Sequence, residues 1–506
     1  MSATIAVPSS LVAESGSRTR LRLWPEWLTL FLYTAIVTFA IPFHEPWADE
    51  AQAWQIAGHT SLVHLFTFNL RYEGHPALWY VLLKGLQHFG VPYAGMQWFA
   101  GLCATIAAAL LIFRAPFPRI VRLTLPFTFF LAYQYAVVAR SYVLIPLLLF
   151  LAATAWKQSD ALMPALWLGL LANVELHATA VSLGLAFVYY RQSRGERKVN
   201  HRTGAIVLFL SLLAIATLTV FPQPKDILVT LPLDQIPRSQ WPPILFLRCI
   251  VYSARALVPH PWLIGVFCLA ALVWVLSASI PRLYLVPLVP LVLFSGYYFS
   301  FWHLGVMTVT CIALAWIAWP IEVQTRRKRI VSASAVGLAL VIQLAYTAHA
   351  VVVDHYYPYS GDLAAARYLL PFVKAGKPMA VTYVREAKAA SFFEVGLRPY
   401  IPGPIFMNEP DPYWKFNTHD HTRVAFEAAL RQRPPVVVVE YDDIKLRPFD
   451  LGREKYSRAL SHLREQGYVL THIFCGVKPE DLRDRASLCH LIFELPSGDL
   501  PKGSAR

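Results

Sequence analysis

The first 353 residues alternate between long apolar runs and short polar segments. An apolar run of roughly 18 residues or more with few charges can cross the hydrocarbon core of a bilayer as a helix. The pattern therefore predicts a polytopic α-helical membrane protein with about 11 transmembrane helices, within a range of roughly 10–13. The predicted spans are 24–43, 93–113, 120–138, 141–156, 161–174, 177–190, 203–221, 261–279, 283–300, 303–320 and 330–353.

One further apolar segment, HPALWYVLLKGLQHF at 76–90, needs a separate argument. It is short for a span and carries Lys84 and His88. If it crossed the membrane, the arginines of 114–122 would lie outside and every later basic loop would invert, against the tendency of basic loops to stay in the cytoplasm. We therefore predict an amphipathic interfacial helix within an outer loop that covers residues 44–92.

Composition supports the membrane assignment, because 56% of the 506 residues are apolar and only 15% are charged. Soluble domains carry about 25% charged residues. The formal charge of +14 would suggest a nucleic-acid partner in a soluble protein. Here the basic residues cluster in short loops such as 326–329, so the charge reflects orientation and we expect no nucleic-acid partner. The orientation places a tail of residues 1–23 in the cytoplasm, followed by a transmembrane domain at 24–353.

From residue 354 to 506 the chain becomes polar, and strand-like runs alternate with helix-like runs. This alternation predicts a small α/β domain, and the odd number of spans places it outside the cytoplasm. The predicted strands are 378–384, 435–441, 468–475 and 489–494, and the predicted helices are 361–375, 420–432 and 450–467.

Two features of this domain leave alternatives open. Cys475 and Cys489 could form a disulfide if the domain is extracytoplasmic, or remain free thiols if it is not. Tyr413 and Trp414 could stack on sugar rings, or could be ordinary loop aromatics that pack on the domain.

Polar residues gather on the predicted outer side of the membrane. Four acids, Glu45, Asp49, Glu50 and Glu73, lie in the first outer loop among histidines and aromatic residues. Ionisable groups beside the bilayer are costly and tend to be paired or functional. The loop is therefore either a reaction centre or a solvated loop whose acids begin helices. Further polar residues fall at outer ends of predicted spans: Arg140, Tyr142, Asn173, Glu175, His177 and His303.

The motifs WADEAQAWQIA and, about 25 residues later, YEGHPALWYVLL resemble the first outer loop of GT-C glycosyltransferases, which include protein O-mannosyltransferases and lipid A aminoarabinose transferases. The family has Asp-Glu followed by His-Pro-Pro-Leu or Lys-Pro-Pro-Leu. This chain has His75-Pro76-Ala77-Leu78, so one proline is replaced. The turn Arg140–Tyr142 is similar to an arginine-containing turn of bacterial members. The resemblance covers about residues 44–80 and the general architecture.

The resemblance implies a GT-C-like enzyme of the bacterial inner membrane. Its donor would be a polyprenyl-phosphate-linked sugar, and the sugar would pass with inversion to a lipid, glycan or protein acceptor on the periplasmic face. Asp49 matches the catalytic aspartate and would be the general base, with Glu50 either orienting it or holding its neighbours. Positive charge would bind the donor phosphate. The expected phosphate-binding residues are Arg140, His75, Lys84 and His303, and the expected substrate-binding residues are Glu73, Tyr142 and His177. Some relatives use a divalent metal, for which Glu73, His75 and His177 are the candidate ligands.

Two other classes of function remain open from the sequence. A transporter or flippase of a lipid-linked precursor would carry polar and helix-breaking residues near mid-span, often in paired halves. A non-catalytic assembly protein would use the C-terminal domain to recruit partners and would not need the carboxylate of Asp49. The polar residues gather at outer helix ends instead of mid-span, which favours the glycosyltransferase.

Overall fold

The computed structural model describes most of the membrane-embedded part of the chain and most of the C-terminal sheet. The predicted tail, the predicted span 261–279 and the loop with Tyr413 and Trp414 lie outside the described residues. The described residues are 23–46, 48–157, 160–193, 200–221, 237–257, 281–298, 300–319, 326–384, 396–401, 405–407, 426–442, 454–477, 479 and 486–496.

The first part of the chain folds into a long apolar helix, a set of short helices that form the outer loop, and a series of apolar helices. The short helix Leu70–Glu73 ends at Gly74, whose left-handed conformation (φ 66°) favours glycine. The helices are α1 Trp24–Ala40, α2 Ala48–His59, α3 Leu62–His64, α4 Leu70–Glu73, α5 Leu78–His88, α6 Gly95–Arg114, α7 Arg119–Thr124, α8 Leu144–Ala155, α9 Leu162–Ala172, α10 Leu176–Ser193 and α11 Arg202–Val220.

The helices that follow complete the helical bundle and lead into the C-terminal domain. Helices α10 and α13 approach closely at Gly184, where a Cβ atom would overlap Pro287, so a residue without a side chain is needed there. The helices are α12 Trp241–Leu257, α13 Pro281–Tyr297, α14 Leu304–Ala318, α15 Arg326–Tyr356, α16 Asp362–Lys374 and α17 Glu454–Glu465.

Among the described residues, four helical segments are long and apolar enough to cross a membrane: Gly95–Arg114, Arg202–Val220, Phe301–Ala318 and Ala333–Tyr356. Three shorter apolar helices accompany them. Large apolar side chains also point outward, for example Phe31 (67% exposed) and Leu218 (76% exposed), which suits lipid and not water. The described residues thus contain fewer spanning helices than the 11 predicted, although nine of the eleven predicted spans coincide with helices.

The prediction of one continuous helix at 120–138 is wrong. The helix α7 ends at Thr124, and Pro126 follows in a 3₁₀ turn, where its missing N–H cannot continue the helical hydrogen bonds. Polar side chains of α15 supply some of the missing hydrogen bonds to this backbone. The side-chain oxygen of Gln343 accepts the backbone N–H of Phe129, and the hydroxyl of Thr347 donates to the carbonyl of Phe127. Irregular backbone at membrane depth is tolerated where it is buried in protein, as here.

This irregular segment nevertheless runs the full length of α1. At the start of α1, Glu26 binds Arg119 through two hydrogen bonds of 2.9 and 2.7 Å. In the middle, Tyr33 donates to the carbonyl of Leu131. Beyond the end of α1, the His44 ring lies against Tyr133. A helix of 17 residues is about 26 Å long, so residues 119–139 cover a comparable distance without a continuous helix.

The outer loop carries short helices instead of a further span. Helix α5, Leu78–His88, has 11 residues, about 17 Å, too short to cross the hydrocarbon core. One of its faces packs inward through Trp79, Tyr80 and Leu83, while Phe89 at its end is 84% exposed. The segment is thus a short helix, and its position at the membrane interface stays a prediction.

The C-terminal domain contains one four-stranded sheet in the order β1-β2-β4-β3. Strands β1 and β2 are parallel, and β4 pairs antiparallel with both β2 and β3. All four strands lie at the predicted runs, and α16 and α17 lie at two of the predicted helices. Cys475 and Cys489 face each other across β3 and β4 and form a disulfide. The strands are β1 Met379–Val384, β2 Val436–Asp442, β3 Val469–Val477 and β4 Ala486–Glu494.

Buried polar residues tie this domain to the first outer loop. The carboxylate of Glu45 accepts hydrogen bonds from the backbone N–H of Leu363 (2.5 Å) and the hydroxyl of Ser360 (3.1 Å), at the start of α16. Beside it, Asp362 binds His490 of β4 at 2.7 Å. Burial, followed by the nearby Asp362 carboxyl, raises the pKa of Glu45 to about 7. The outer loop is thus anchored to the C-terminal domain.

Candidate functional site

An ion pair between Asp49 and Arg140 lies at the centre of the candidate site. Asp49 is in the first turn of α2, and Arg140 has extended backbone just before the turn Ser141–Val143. The Asp49 Oδ2 and Arg140 Nη1 atoms are 2.7 Å apart, and the two side chains are 15% and 12% exposed. Burial opposes the charge of Arg140, but Asp49 raises the pKa of the guanidinium above its ordinary value. The guanidinium is therefore charged, and both side chains of the pair are partly exposed.

Two aromatic rings hold the guanidinium from its sides. The Arg140 Cζ atom lies 5.3 Å from the centroid of the Tyr142 ring and 5.1 Å from that of Trp302. Cation–π contacts of this length stabilise a cation. The sequence pointed to Arg140 and Tyr142, whereas nothing in it singled out Trp302.

Glu50 does not face the site, contrary to its expected catalytic role beside Asp49. Its carboxylate is fully buried, accepts the backbone N–H of Ala139 at 2.6 Å, and lies 3.1 Å from His44 Nε2. Adjacent residues on a helix point in different directions, so Asp49 and Glu50 cannot both line one pocket. Glu50 therefore positions the backbone next to Arg140 and does not contact a substrate.

His44 completes this buried network. Its Nδ1 atom is 3.0 Å from the Asp354 carboxylate at the end of α15, while Nε2 faces Glu50. Burial alone would lower the pKa of His44, but the Asp354 and Glu50 carboxylates raise it to about 10. Because both ring nitrogens face carboxylates, the ring is an imidazolium at neutral pH.

Glu73 lies near the ion pair but is held by other groups. It accepts hydrogen bonds from the Gln52 amide (2.8 Å) and the Tyr80 hydroxyl (3.0 Å). Gln52 and Asp49 are three residues apart on α2 and so share one face of the helix. Burial raises the pKa of Glu73 to about 8, with a further contribution from Asp49. Glu73 is therefore mainly protonated at neutral pH.

His75 borders the site as a neutral ring. Its edge meets the Tyr142 ring at a centroid distance of 6.0 Å. Burial, and then the charge of Arg140, lowers the pKa of His75 to about 4. Its Nδ1 atom is buried and has no hydrogen-bond partner among the residues that the structure describes. Buried polar atoms are normally paired, so this atom is a candidate contact for a ligand.

Glu175 and His177 form a second, wholly buried ion pair behind these residues. The Glu175 carboxylate is 2.7 Å from His177 Nδ1 and also accepts the backbone N–H of His177. His177 Nε2 faces the carbonyl of Tyr298 at 2.9 Å. Both ring nitrogens of His177 thus face hydrogen-bond acceptors. Burial would raise the pKa of Glu175, but His177 keeps it below its ordinary value.

His303 stacks on His177 with ring centroids 4.1 Å apart and binds Tyr142. Its Nδ1 atom accepts the backbone N–H of Ser300 at 2.7 Å, and its Nε2 atom is 2.9 Å from the Tyr142 hydroxyl. The structure thus brings His303 next to Tyr142, and Tyr142 next to Arg140. His303 itself is held inside the protein by these partners.

The metal ligands suggested by the sequence are not grouped. Among the described residues, the group with metal-ligand geometry is Glu175, His177 and His303, whose ligand atoms lie within 4.8 Å of one another. These residues do not fit a metal as they are hydrogen-bonded. His303 Nδ1 accepts a proton donor, so the proton of this neutral ring is on Nε2, the atom that would have to bind the metal. The group is a hydrogen-bonded network.

Lys84 is also placed differently from the prediction. Its ammonium donates to the carbonyls of Ala57 (3.1 Å) and Thr60 (2.6 Å), at the C-terminal end of α2. Asp49 lies in the first turn of the same helix, about 15 Å away along its axis. Lys84 therefore stabilises a helix end, where a cation is favourable, and lies away from the pair of Asp49 and Arg140.

Sequence reasoning missed the supporting residues of the site. His44 and Asp354 are far apart in the chain, and Trp302 is one aromatic residue among many. A signal was present for Glu175, which precedes His177 by two residues at an outer helix end. The backbone N–H of Leu78 also donates to the carbonyl of Asn173, and this contact brings the motif His75–Leu78 next to the segment that contains Asn173 and Glu175.

Comparison with known proteins does not assign the chain to a family. No protein-family model matches it, and no curated protein matches it. A function for the protein therefore has to be argued from the geometry of Asp49, Arg140 and their neighbours.

Proposed function

We propose that the protein is an inverting membrane glycosyltransferase that moves a sugar from a polyprenyl-phosphate carrier to a hydroxyl or amine acceptor. The observation that carries the proposal is the partly exposed ion pair of Asp49 and Arg140. A carboxylate that can accept a proton lies directly beside a guanidinium that can bind a phosphate. Glycosyl transfer from a lipid phosphate requires, within one site, a base for the acceptor proton and a cation for the leaving phosphate.

The proposed reaction is a single displacement at the anomeric carbon. The acceptor oxygen or nitrogen attacks this carbon from the face opposite the phosphate, while the bond between the carbon and the phosphate oxygen breaks. The acceptor proton passes to the Asp49 carboxylate, and the electron pair of the broken bond leaves on the polyprenyl phosphate. No proton has to be donated to the leaving group, because a phosphate is a weak base whose charge Arg140 can stabilise.

The ion pair also explains how the base would be held until the donor arrives. In the free protein, Arg140 neutralises Asp49. The phosphodiester of the donor can bind a guanidinium through two parallel hydrogen bonds, and its negative charge grows as the bond to the sugar breaks. Donor binding would therefore draw Arg140 away from Asp49 and leave its carboxylate free to accept the proton. The cation–π contacts with Tyr142 and Trp302 would keep the guanidinium within the site while its N–H groups turn from Asp49 to the phosphate.

For the topology, we propose a GT-C-like arrangement of about 11 spans in the bacterial inner membrane, with the N-terminus in the cytoplasm and the site and C-terminal domain on the periplasmic face. The disulfide between Cys475 and Cys489 supports this orientation, because disulfides persist in oxidising compartments. The ion pair of Glu26 and Arg119 lies at the opposite end of α1 from the candidate site, which agrees with a cytoplasmic position for these residues.

The decisive experiment is a transfer assay with the full-length protein purified in detergent. A set of polyprenyl-phosphate sugars would be offered together with lipid, glycan and peptide acceptors. We expect transfer by the wild type and by Asp160→Asn, the same change in a residue that caps Leu162 outside the site. We expect loss of transfer by at least about a thousandfold for Asp49→Asn, since the general base is removed. Equal transfer by Asp49→Asn and Asp160→Asn would refute the proposal.

A further inference from the structure

The hydrogen bonds of His303 determine which of its nitrogens carries the proton. The backbone N–H of Ser300 can only donate, so His303 Nδ1 must accept and is unprotonated. A neutral imidazole then has its proton on Nε2. Since Nε2 lies 2.9 Å from the Tyr142 hydroxyl and 3.8 Å from the Glu175 carboxylate, Tyr142 is the nearer acceptor. His303 therefore donates to the Tyr142 oxygen.

This assignment fixes the direction of the Tyr142 hydroxyl. A phenol oxygen that accepts from His303 must direct its own O–H elsewhere. Tyr142 is only 2% exposed, and within the described ranges no acceptor receives this O–H. A buried donor without an acceptor is costly unless a ligand supplies one.

The neighbours of Tyr142 indicate what kind of ligand this is. The Arg140 guanidinium lies over the Tyr142 ring, and the His75 ring makes a T-shaped contact with it. The buried Nδ1 atom of His75 also lacks a partner in the described part of the chain. A cation together with two uncharged polar groups suits an anion with several acceptor oxygens, such as a phosphate.

We propose that His303 is a positioning residue that acts through Tyr142. By donating its Nε2 proton to the Tyr142 oxygen, it makes the Tyr142 O–H a hydrogen-bond donor to the phosphate of the lipid carrier, next to Arg140. The proposal rests on the proposed function for the identity of the ligand, while the direction of the hydrogen bonds rests on the protein alone. It replaces the expectation that His303 binds the phosphate itself.

Behind His303, the ion pair of Glu175 and His177 keeps the ring in place. The His177 ring stacks on His303 at 4.1 Å, and the Tyr252 hydroxyl donates to the carbonyl of His303 at 2.9 Å. These contacts restrict the position of the His303 ring, so that its Nε2 proton stays on Tyr142. Such support of a ligand-binding side chain by packed, hydrogen-bonded neighbours is needed for a precise site.

Two substitutions of His303 separate a positioning role from a merely structural one. His303→Gln places an amide N–H where Nε2 lies and keeps the donor to Tyr142. His303→Asn places an amide oxygen where Nδ1 lies, so it keeps the acceptor for Ser300 but loses the donor to Tyr142. Binding of undecaprenyl phosphate to the full-length protein in detergent micelles, measured by native mass spectrometry, is compared for both variants, for Tyr142→Phe and for His303→Asn combined with Tyr142→Phe.

We expect His303→Gln to bind within about threefold of the wild type, and His303→Asn and Tyr142→Phe each to bind about tenfold more weakly. The double variant should lose no more than either single variant, because both changes remove the same hydrogen bond. Equal losses for His303→Gln and His303→Asn, or full affinity in Tyr142→Phe, would overturn the proposal.

A second measurement tests the protein without the ligand. NMR of the protein labelled with ¹⁵N-histidine, assigned by comparison with His303→Gln, should show a neutral His303 with its proton on Nε2. A proton on Nδ1 would overturn the proposal. If the wild type binds no undecaprenyl phosphate but has the Nε2 proton, the proposed function fails and the positioning of Tyr142 stands. If it binds the lipid but the two His303 variants behave alike, the positioning fails and the proposed function stands.

Discussion

The carboxylate of Glu50 accepts the backbone N–H of Ala139, which directly precedes Arg140, at 2.6 Å. On its other side Glu50 binds His44, which in turn binds Asp354 at the end of α15. The backbone that carries the cation of the site is therefore held by a buried chain of charged groups. These linked side chains join the first outer loop to the beginning of the C-terminal domain.

Glu50→Ala should destabilise the protein strongly without removing any group from the exposed site. The change leaves the N–H of Ala139 without an acceptor and His44 with one counterion instead of two. Breaking a buried ion pair costs about 3–5 kcal/mol. The check is thermal unfolding in detergent, with Glu465→Ala on an exposed position as control. A shift no larger than that of the control would show that the Glu50 contacts are not stabilising.

The pKa of His44 predicts that stability falls on the alkaline side. The ring is protonated in the folded protein up to about pH 10, whereas in the unfolded chain it loses its proton near pH 6.5. The stabilisation is complete below about pH 6.5 and is lost as the pH rises towards 10, by at most about 1.4 kcal/mol per pH unit. Unfolding temperatures measured from pH 6.5 to 10 should fall more steeply for the wild type than for His44→Gln. Parallel slopes would contradict this assignment.

Helices and strands could be predicted from the sequence where local pattern decides them. Apolar runs identified most of the helices, and alternation with β-branched residues identified the four strands. The segment 120–138 was mistaken for a regular helix, because its backbone is satisfied by Gln343 and Thr347, more than 200 residues away in the chain. Its apolar composition carries no sign of these contacts.

The site shows the same division. Asp49, Arg140 and His303 could be selected because charged or polar residues at outer helix ends are rare. The direction of each side chain could not be predicted, because it depends on neighbours from other segments of the sequence. Asp49 and Glu50 are adjacent, yet one faces the site and the other is buried against His44 and Ala139.

Glu73→Gln should stabilise the protein at alkaline pH. The pKa of Glu73 is raised to about 8, so the folded protein keeps this proton while an unfolded chain loses it near pH 4.5. Stability from this group therefore falls as the pH rises from about 4.5 to 8. A glutamine has the shape of the protonated carboxyl and no charge to bury. Its unfolding temperature should equal that of the wild type at pH 5 and exceed it at pH 9. A lower value at pH 9 would show that the ionised carboxylate is favourable here.

Lys84→Met should lower stability by about 2 kcal/mol, because the carbonyls of Ala57 and Thr60 lose a charged hydrogen-bond donor. Its affinity for undecaprenyl phosphate should stay within about twofold of the wild type, since the ammonium lies at the far end of α2 from Asp49. Unfolding and lipid binding are measured on the same preparation. A tenfold loss of lipid affinity at unchanged stability would show that Lys84 contributes to phosphate binding.

Asp49→Asn should bind undecaprenyl phosphate more tightly than the wild type while transferring no sugar. In the wild type the phosphate must displace the Asp49 carboxylate from Arg140, 2.7 Å away, whereas the neutral asparagine offers no such competition. Removing one competing charged hydrogen bond is worth about 1.5 kcal/mol, or roughly tenfold in affinity.

Binding and transfer should therefore change in opposite directions, and Asp160→Asn should change neither. This combination separates the candidate functions, because a protein that only carries or flips a lipid phosphate would gain affinity without having any transfer to lose. If Asp49→Asn bound the lipid more weakly at unchanged stability, the Asp49 carboxylate would be part of the donor site itself. The exchange of Arg140 between carboxylate and phosphate would then be wrong.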